Sequence, residues 1–194
     1  EYSFEGKTRE QKEDLASLGR NMMIALLIMY MLLGAQLKSY IQPFAVMSAI
    51  PFGIVGAILG HLLLGYDVSF ISLFGVVALA GVVVNDSIVL VDYMNLQREQ
   101  GVEIVQSALL AIERRFRPIL LTTLSTSLGL LPILMETSIQ ARFLIPMVVS
   151  LACGILFATI IVMFLLPCLL VVIDDVHRLF RLLVQPEKTS DMHI

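Results

Sequence analysis

Five long stretches of the chain carry no Asp, Glu, Lys or Arg, apart from one aspartate inside the third. They cover residues 21–37, 39–66, 68–85 (continuing past Asp86 to Val91), 118–135 and 143–173. A helix needs about 20 apolar residues to cross a hydrocarbon core, so with flanking residues each predicts a transmembrane helix. The predicted spans are 20–38, 41–63, 71–93, 118–136 and 143–173. The fifth exceeds the length a simple span needs, which implies a tilted or projecting helix, with Pro146 and Pro167 placed to bend it.

Between the third and fourth spans the pattern changes. Val102, Val105, Leu109, Ile112 and Phe116 recur at three- and four-residue steps, with Glu103, Gln106 and Glu113 between them. That periodicity predicts an amphipathic helix over 101–117, lying in the interface or against the bundle ends. Gly101 before it is a natural break. The tail, 181–194, holds Pro186, Lys188, Ser190 and Asp191 and is expected to be disordered. The fold class is therefore an all-α membrane protein: five transmembrane helices within 18–180, plus one cytoplasmic amphipathic helix.

Composition supports a membrane solvent. Hydrophobic residues make up 58% of the 194 and charged residues only 15%, against about 25% charged in soluble domains. The mean hydropathy is +0.89. A net charge of −3 without a basic cluster argues against nucleic acid as a partner. Cys153 and Cys168 stand 15 residues apart on one expected helix, roughly 22 Å at ~1.5 Å per residue, so they cannot form a disulfide. They read as small buried hydrophobes. The chain starts at Glu1 with no leader before its apolar segments, and is expected to be a piece of something longer.

An odd number of spans puts the termini on opposite faces. Lys38, Arg98, Arg114, Arg115, Arg117, Arg178, Arg181 and Lys188 collect on one side, and Lys7, Arg9, Lys12, Arg20 and Arg142 on the other. The positive-inside rule places the first group in the cytoplasm. The N-terminus is then outside and the C-terminus inside, and the N-terminal charges are compatible with this if they belong to a large translocated domain.

The main chemical signal is Asp86. With the third span at 71–93, it lies about 6 Å past the span's midpoint near Val82. An ionised carboxylate there costs about 2.5–3.5 kcal/mol on insertion scales. Either it serves ion or proton movement, or it is a protonated carboxyl capped by a neighbouring helix. Ala78, Gly81, Asn85 and Asp92 share one helix face, with Asp86 about 100° round from Asn85. On the fourth span Thr122, Ser125, Thr126 and Gly129 form a matching stripe that extends back to Arg115. The two stripes lie at similar depth and are placed to meet inside a bundle. The alternative is that these hydroxyls bond their own helix's carbonyls.

Gly53, Gly56 and Gly60, together with Gly81, read as positions of close helix packing rather than ligand contacts. His61, at the outer end of the second span, reads as incidental, because no second metal-binding side chain has suitable spacing; no metal site is expected. Asp67 in the short outer loop reads as solvated. Enzyme motifs are missing. Gly6-Lys7-Thr8 mimics the end of a P-loop, but Glu1 stands at the required earlier glycine. Neither H-E-x-x-H nor G-x-S-x-G occurs, so no enzymatic chemistry is expected.

Three motifs carry a family resemblance: SYIQPFAVMSAIPFGIVGAILG (39–60), FGVVALAGVVVNDSIVLVDYMN (74–95) and RRFRPILLTTLSTSLGLLP (114–132). In their order and spacing the chain resembles the C-terminal membrane half of resistance-nodulation-division (RND) efflux pumps of the AcrB type, the hydrophobe/amphiphile branch. The resemblance runs from about Tyr2 to Leu179. It implies a multi-pass bacterial inner-membrane pump with twelve spans in two similar halves, driven by proton influx, with protons as coupling ion and no other cofactor. It further implies a homotrimer working with a periplasmic adaptor and an outer-membrane channel. The five spans would be the eighth to twelfth, residues 1–17 the end of the second periplasmic domain, and the N-terminal half of the same pump the direct partner.

The resemblance also implies site roles, with one departure. Thr122 matches the family's relay threonine and Arg115 its arginine at the cytoplasmic entrance. Asn85 stands where many drug pumps place the relay lysine, and Asp86 where they place an asparagine. Asparagine has no charge to pair with the aspartates of the other half, so Asp86 is expected to join the titrating set. The implied function is the C-terminal transmembrane module of a proton-driven exporter of drugs or amphiphiles. The alternative is a membrane scaffold module from a relative that handles lipids or proteins.

Overall fold

The computed structural model describes the backbone of residues 2–184 and the side chains of residues 13–179. Six helices follow in order: α1 (Tyr2–Leu37), α2 (Gln42–Met47), α3 (Ile50–Leu64), α4 (Phe70–Glu99), α5 (Ile104–Met135) and α6 (Ile139–Val184). Among the described residues five helical stretches are long and apolar enough to cross a membrane: Glu13–Leu37, Gln42–Leu64, Phe70–Glu99, Ile104–Met135 and Ile139–Leu179. The five expected spans each fall on one of them. The expected disorder of the tail, from residue 185 on, lies outside the described residues.

The chain divides into two compact units, residues 1–44 and 45–194. In the first, α1 ends at a left-handed Lys38 (φ 48°), a conformation whose Cβ strain costs roughly 1–2 kcal/mol outside glycine. The turn is held from both sides. Ser39 Oγ accepts from the backbone N–H groups of Ile41 and Gln42, and Tyr30 Oη donates to the Tyr40 carbonyl at 2.9 Å. The Tyr30 ring also packs on Phe44, with centroids 4.8 Å apart.

The second unit is built around α6, which packs against α3, α4 and α5; α4 also touches α3 and α5. Lipid tails are as apolar as leucine, so helices associate in a bilayer through close packing rather than through hydrophobic burial. Small residues allow it. A Cβ on Gly56 would sit 2.5 Å from Phe157 Cβ, one on Gly60 would run into Cys153, and one on Gly154 into Leu79. Gly75 lies directly against the Met147 carbonyl. Gly53, Gly56 and Gly60 are thus at close helix contacts within this bundle. Gly81 is not: it faces out of this bundle, with nothing within 4 Å of where its Cβ would be.

Three features differ from the sequence expectation. The second span is broken into α2 and α3, because Pro51, in the first turn of α3, lacks the N–H that would continue the ladder. The amphipathic segment is helical but continuous with the fourth span as α5, running through Pro118. Its packed face is Ile104, Ser107, Ala108 and Ala111, while Val105, Leu109 and Phe116 point away. The cysteines are less enclosed than expected: Cys153 is half-buried against Gly60, and Cys168 is exposed on the free face of α6. Helix α6 is one continuous helix of 46 residues with Pro146 and Pro167 inside it, about 69 Å along its axis at ~1.5 Å per residue, more than twice the ~30 Å of a hydrocarbon core.

Candidate functional site: the Asp86 cleft

Asp86 is near the middle of α4, seventeenth from its start among 30 residues. It lines a small cleft between α4, α5 and α6, whose other walls are Val83, Ile119, Thr159 and Val162. The open space is about 10 Å³ to the centre of a water, close to the room a single molecule needs. No other charged side chain lines it. The helix is started cleanly by a capping box, in which Ser69 Oγ accepts from Ser72 N–H and Ser72 Oγ from Ser69 N–H. That start sets the register that brings Asp86 round to α5 and α6.

The polar stripes read from the sequence do not meet inside this bundle. Ala78, Gly81, Asn85 and Asp92 are exposed on α4, and Thr122, Ser125, Thr126 and Gly129 are exposed on α5. Thr122 Oγ1 donates to the Ile119 carbonyl and Thr126 Oγ1 to the Thr122 carbonyl, both at 2.8 Å. These two hydroxyls follow the own-helix alternative. The interior position belongs to the next residue along: Thr123 is 2% exposed and bonds Thr159 of α6 at 2.9 Å.

Arg115 is half-buried and holds its guanidinium 5.1 Å over the Tyr93 ring, which ties the N-terminal third of α5 to the C-terminal part of α4. Such a contact is worth about 0.5–1 kcal/mol when partly exposed. Beyond it Arg98 reaches Asp174 at 2.6 Å, and Arg178 meets the same carboxylate at 3.0 Å. The sequence offered no signal for this pair across α4 and α6.

His61 was underrated. It is 2% exposed, with Nδ1 at 2.9 Å from the Ala57 carbonyl and Nε2 at 2.9 Å from Ser72 Oγ. A carbonyl only accepts, so Nδ1 carries the proton and Nε2 accepts from the Ser72 hydroxyl. The pair joins the C-terminal end of α3 to the N-terminal end of α4. The S-x-x-S spacing of Ser69 and Ser72 was the available sequence signal. Asp67 is exposed in the α3–α4 loop, as expected. Among the described residues no group of three or more His, Cys, Asp or Glu is placed to hold a metal.

Comparison with known proteins matches this architecture to one family. The sequence profile of the AcrB/AcrD/AcrF family matches residues 1–174. Two solved crystal forms of a heavy metal efflux pump are similar in fold. One aligns with a TM-score of 0.78 and 27% identity, covering 86% of this chain and 17% of its own. The other aligns with a TM-score of 0.73 and 27% identity over 86% of this chain and 16% of its own. The chain thus spans about a sixth of those pumps' length. With its profile match over nearly the whole sequence and its similarity in fold to solved efflux pumps, the chain belongs to the AcrB/AcrD/AcrF family of RND efflux transporters.

Proposed function

We propose that the chain is the C-terminal transmembrane module of an exporter in which proton influx drives substrate efflux. The observation that carries this reading is Asp86, a carboxyl at mid-helix, in a water-sized cleft without a charged partner lining it. A carboxyl in that setting binds or releases a proton more readily than it holds a permanent charge. Asn85, Asp92 and Thr122 support it from outside the cleft. They are polar groups on membrane-length helices, exposed on this bundle, and lipid is a poor solvent for them. The N-terminal half of the same pump is the partner that covers them. Arg115 then serves the cytoplasmic end of the relay, and protons are the coupling ion, with no further cofactor.

The whole pump is a homotrimer of the bacterial inner membrane, with the N-terminus of this segment periplasmic and its C-terminus cytoplasmic. A periplasmic adaptor and an outer-membrane channel complete the export route. Its cargo is amphiphilic compounds. A second cargo class, heavy metal ions, is favoured by the two similar solved structures, each described as a heavy metal efflux pump. Both similar structures are efflux pumps, so the scaffold module for lipids or proteins is not favoured.

The test is efflux by the full-length pump carrying Asp86→Asn, at matched expression. Ethidium serves as the amphiphile and silver(I) as the metal ion. Loss of efflux with Asp86→Asn supports the relay. Retained efflux assigns coupling to the other half and leaves this half a scaffold. Wild-type efflux of ethidium rather than silver supports the amphiphile reading, and the reverse result supports the metal reading.

A further inference from the structure

Three interior hydroxyls have no place in the relay described above. Thr123 and Thr159, 2% and 7% exposed, bond each other across α5 and α6. Thr159 is also part of the wall of the Asp86 cleft. One turn further along α5, Ser127 is 8% exposed and its Oγ has no hydrogen-bond partner. Other hydroxyls in this bundle behave differently. Ser87, Ser107, Thr122 and Thr126 each donate to a carbonyl of their own chain three or four residues back. A buried hydroxyl that forgoes this bond usually meets an ordered water instead.

The three lie in sequence from the cleft toward the Met135 end of α5, the end that the proposed orientation puts in the periplasm. We infer that Thr159, Thr123 and Ser127 form a hydroxyl ladder that carries protons between that end and Asp86. One water in the cleft joins Thr159 to the carboxyl, and a second sits at Ser127. The ladder rests on the reading of Asp86 as a protonating group.

The transfer is a concerted hop. The cleft water gives a proton to the Asp86 carboxylate and takes one from Thr159, which takes one from Thr123. Thr123 takes one from the water at Ser127, that water takes one from Ser127 Oγ, and Ser127 takes one from a hydronium ion arriving from the Met135 end, which leaves as water. Every hydroxyl loses one proton and gains one, so no alkoxide forms, and each then rotates back to its starting orientation. The walls facing Asp86 are Val83 on its own helix, Ile119 on α5, and Thr159 and Val162 on α6. Asp86 is the only titratable group on that lining, so the ladder has a single terminus.

Infrared difference spectra of the full-length pump in lipid, recorded on acidification, test this without any cargo. The protonated Asp86 carbonyl band is identified by its loss in Asp86→Asn. Thr159→Val, which keeps the side-chain shape, shifts that band to higher frequency and slows cargo-driven proton uptake severalfold. Thr159→Ser, which keeps the hydroxyl, restores both. Thr123→Val slows uptake with a smaller band shift. An Asp86 band that stays in place in Thr159→Val overturns the ladder while leaving the Asp86 relay intact. If no Asp86 band appears in the wild type, the relay reading itself fails, and the ladder with it.

Discussion

Arg98 of α4 and Asp174 of α6, 76 residues apart in sequence, meet at 2.6 Å near the C-terminal ends of their helices. Asp174 also forms an ion pair with Arg178 at 3.0 Å, so one carboxylate is shared by two guanidinium groups and offsets half of their charge. Asp174→Asn leaves two like charges side by side. The arginine side chains are partly exposed, which limits the loss to about 1 kcal/mol. Thermal unfolding of the detergent-solubilised pump should show that loss at low salt. It should shrink in about 1 M salt, where the Debye length falls to ~3 Å.

The glycines of the helix contacts separate by what a methyl group would strike. At Gly75 it would strike the Met147 carbonyl, which is backbone and fixed, and approach Ser150 Cβ to 2.8 Å. At Gly53 it would meet Leu79 Cδ2 at 3.1 Å, the far end of a flexible side chain. Gly75→Ala should therefore destabilise the pump by about 1–3 kcal/mol, the usual range for overpacking. Gly53→Ala should be close to neutral, because the ~1 kcal/mol that alanine adds to a helix offsets the small shift of Leu79. Equal losses at the two positions would contradict the packing described for α3, α4 and α6.

His61 fixes a tautomer as well as a contact. Its Nδ1 faces a carbonyl and its Nε2 a hydroxyl, so nitrogen NMR of the labelled imidazole should report the neutral Nδ1–H form. Ser72→Ala removes both the hydroxyl that His61 accepts from and one half of the capping box. The expected cost is about 1–2 kcal/mol, with the C-terminal end of α3 and the N-terminal end of α4 loosened first in hydrogen exchange. An Nε2–H spectrum would mean that the Ala57 bond is not formed.

The helices were readable because charge-free runs and their breaks are a one-dimensional signal. Facing was not. From Thr122 to Ser127 five of six residues carry a hydroxyl, so every face of α5 shows a polar stripe, and only the position of α6 decides that Thr123 and Ser127 turn inward. Asp86 stood out because a carboxylate in an apolar run is costly wherever it points. Thr159, Arg98 and Asp174 gave no such signal, since each acquires its meaning from a residue on another helix. The glycines show both outcomes: Gly53, Gly56 and Gly60 found partners within the chain, while Gly81 on α4 did not. Spacing alone does not distinguish them.

Asn85 and Asp86 permit a sharper test than deletion. By the resemblance drawn from the sequence, many drug pumps place lysine then asparagine at these positions, whereas here the charge is negative and one residue later. Asn85 is exposed on α4 and Asp86 lines the interior cleft, so the two residues offer charge to different neighbours. If Asp86 has taken over the lysine's part, Asp86→Asn alone should abolish cargo-driven proton uptake. The double change Asn85→Lys with Asp86→Asn should recover part of it by restoring the family's pair. Asn85→Lys alone should impair uptake, because an ammonium beside an ionisable carboxyl holds it in the charged form and stalls the cycle. The three variants and the wild type form a double-mutant cycle, measured as proton uptake in proteoliposomes carrying the full-length pump. A coupling between the two positions large enough to rescue transport means that they perform one job. Additive losses mean that Asp86 works independently of the face on which the family keeps its lysine.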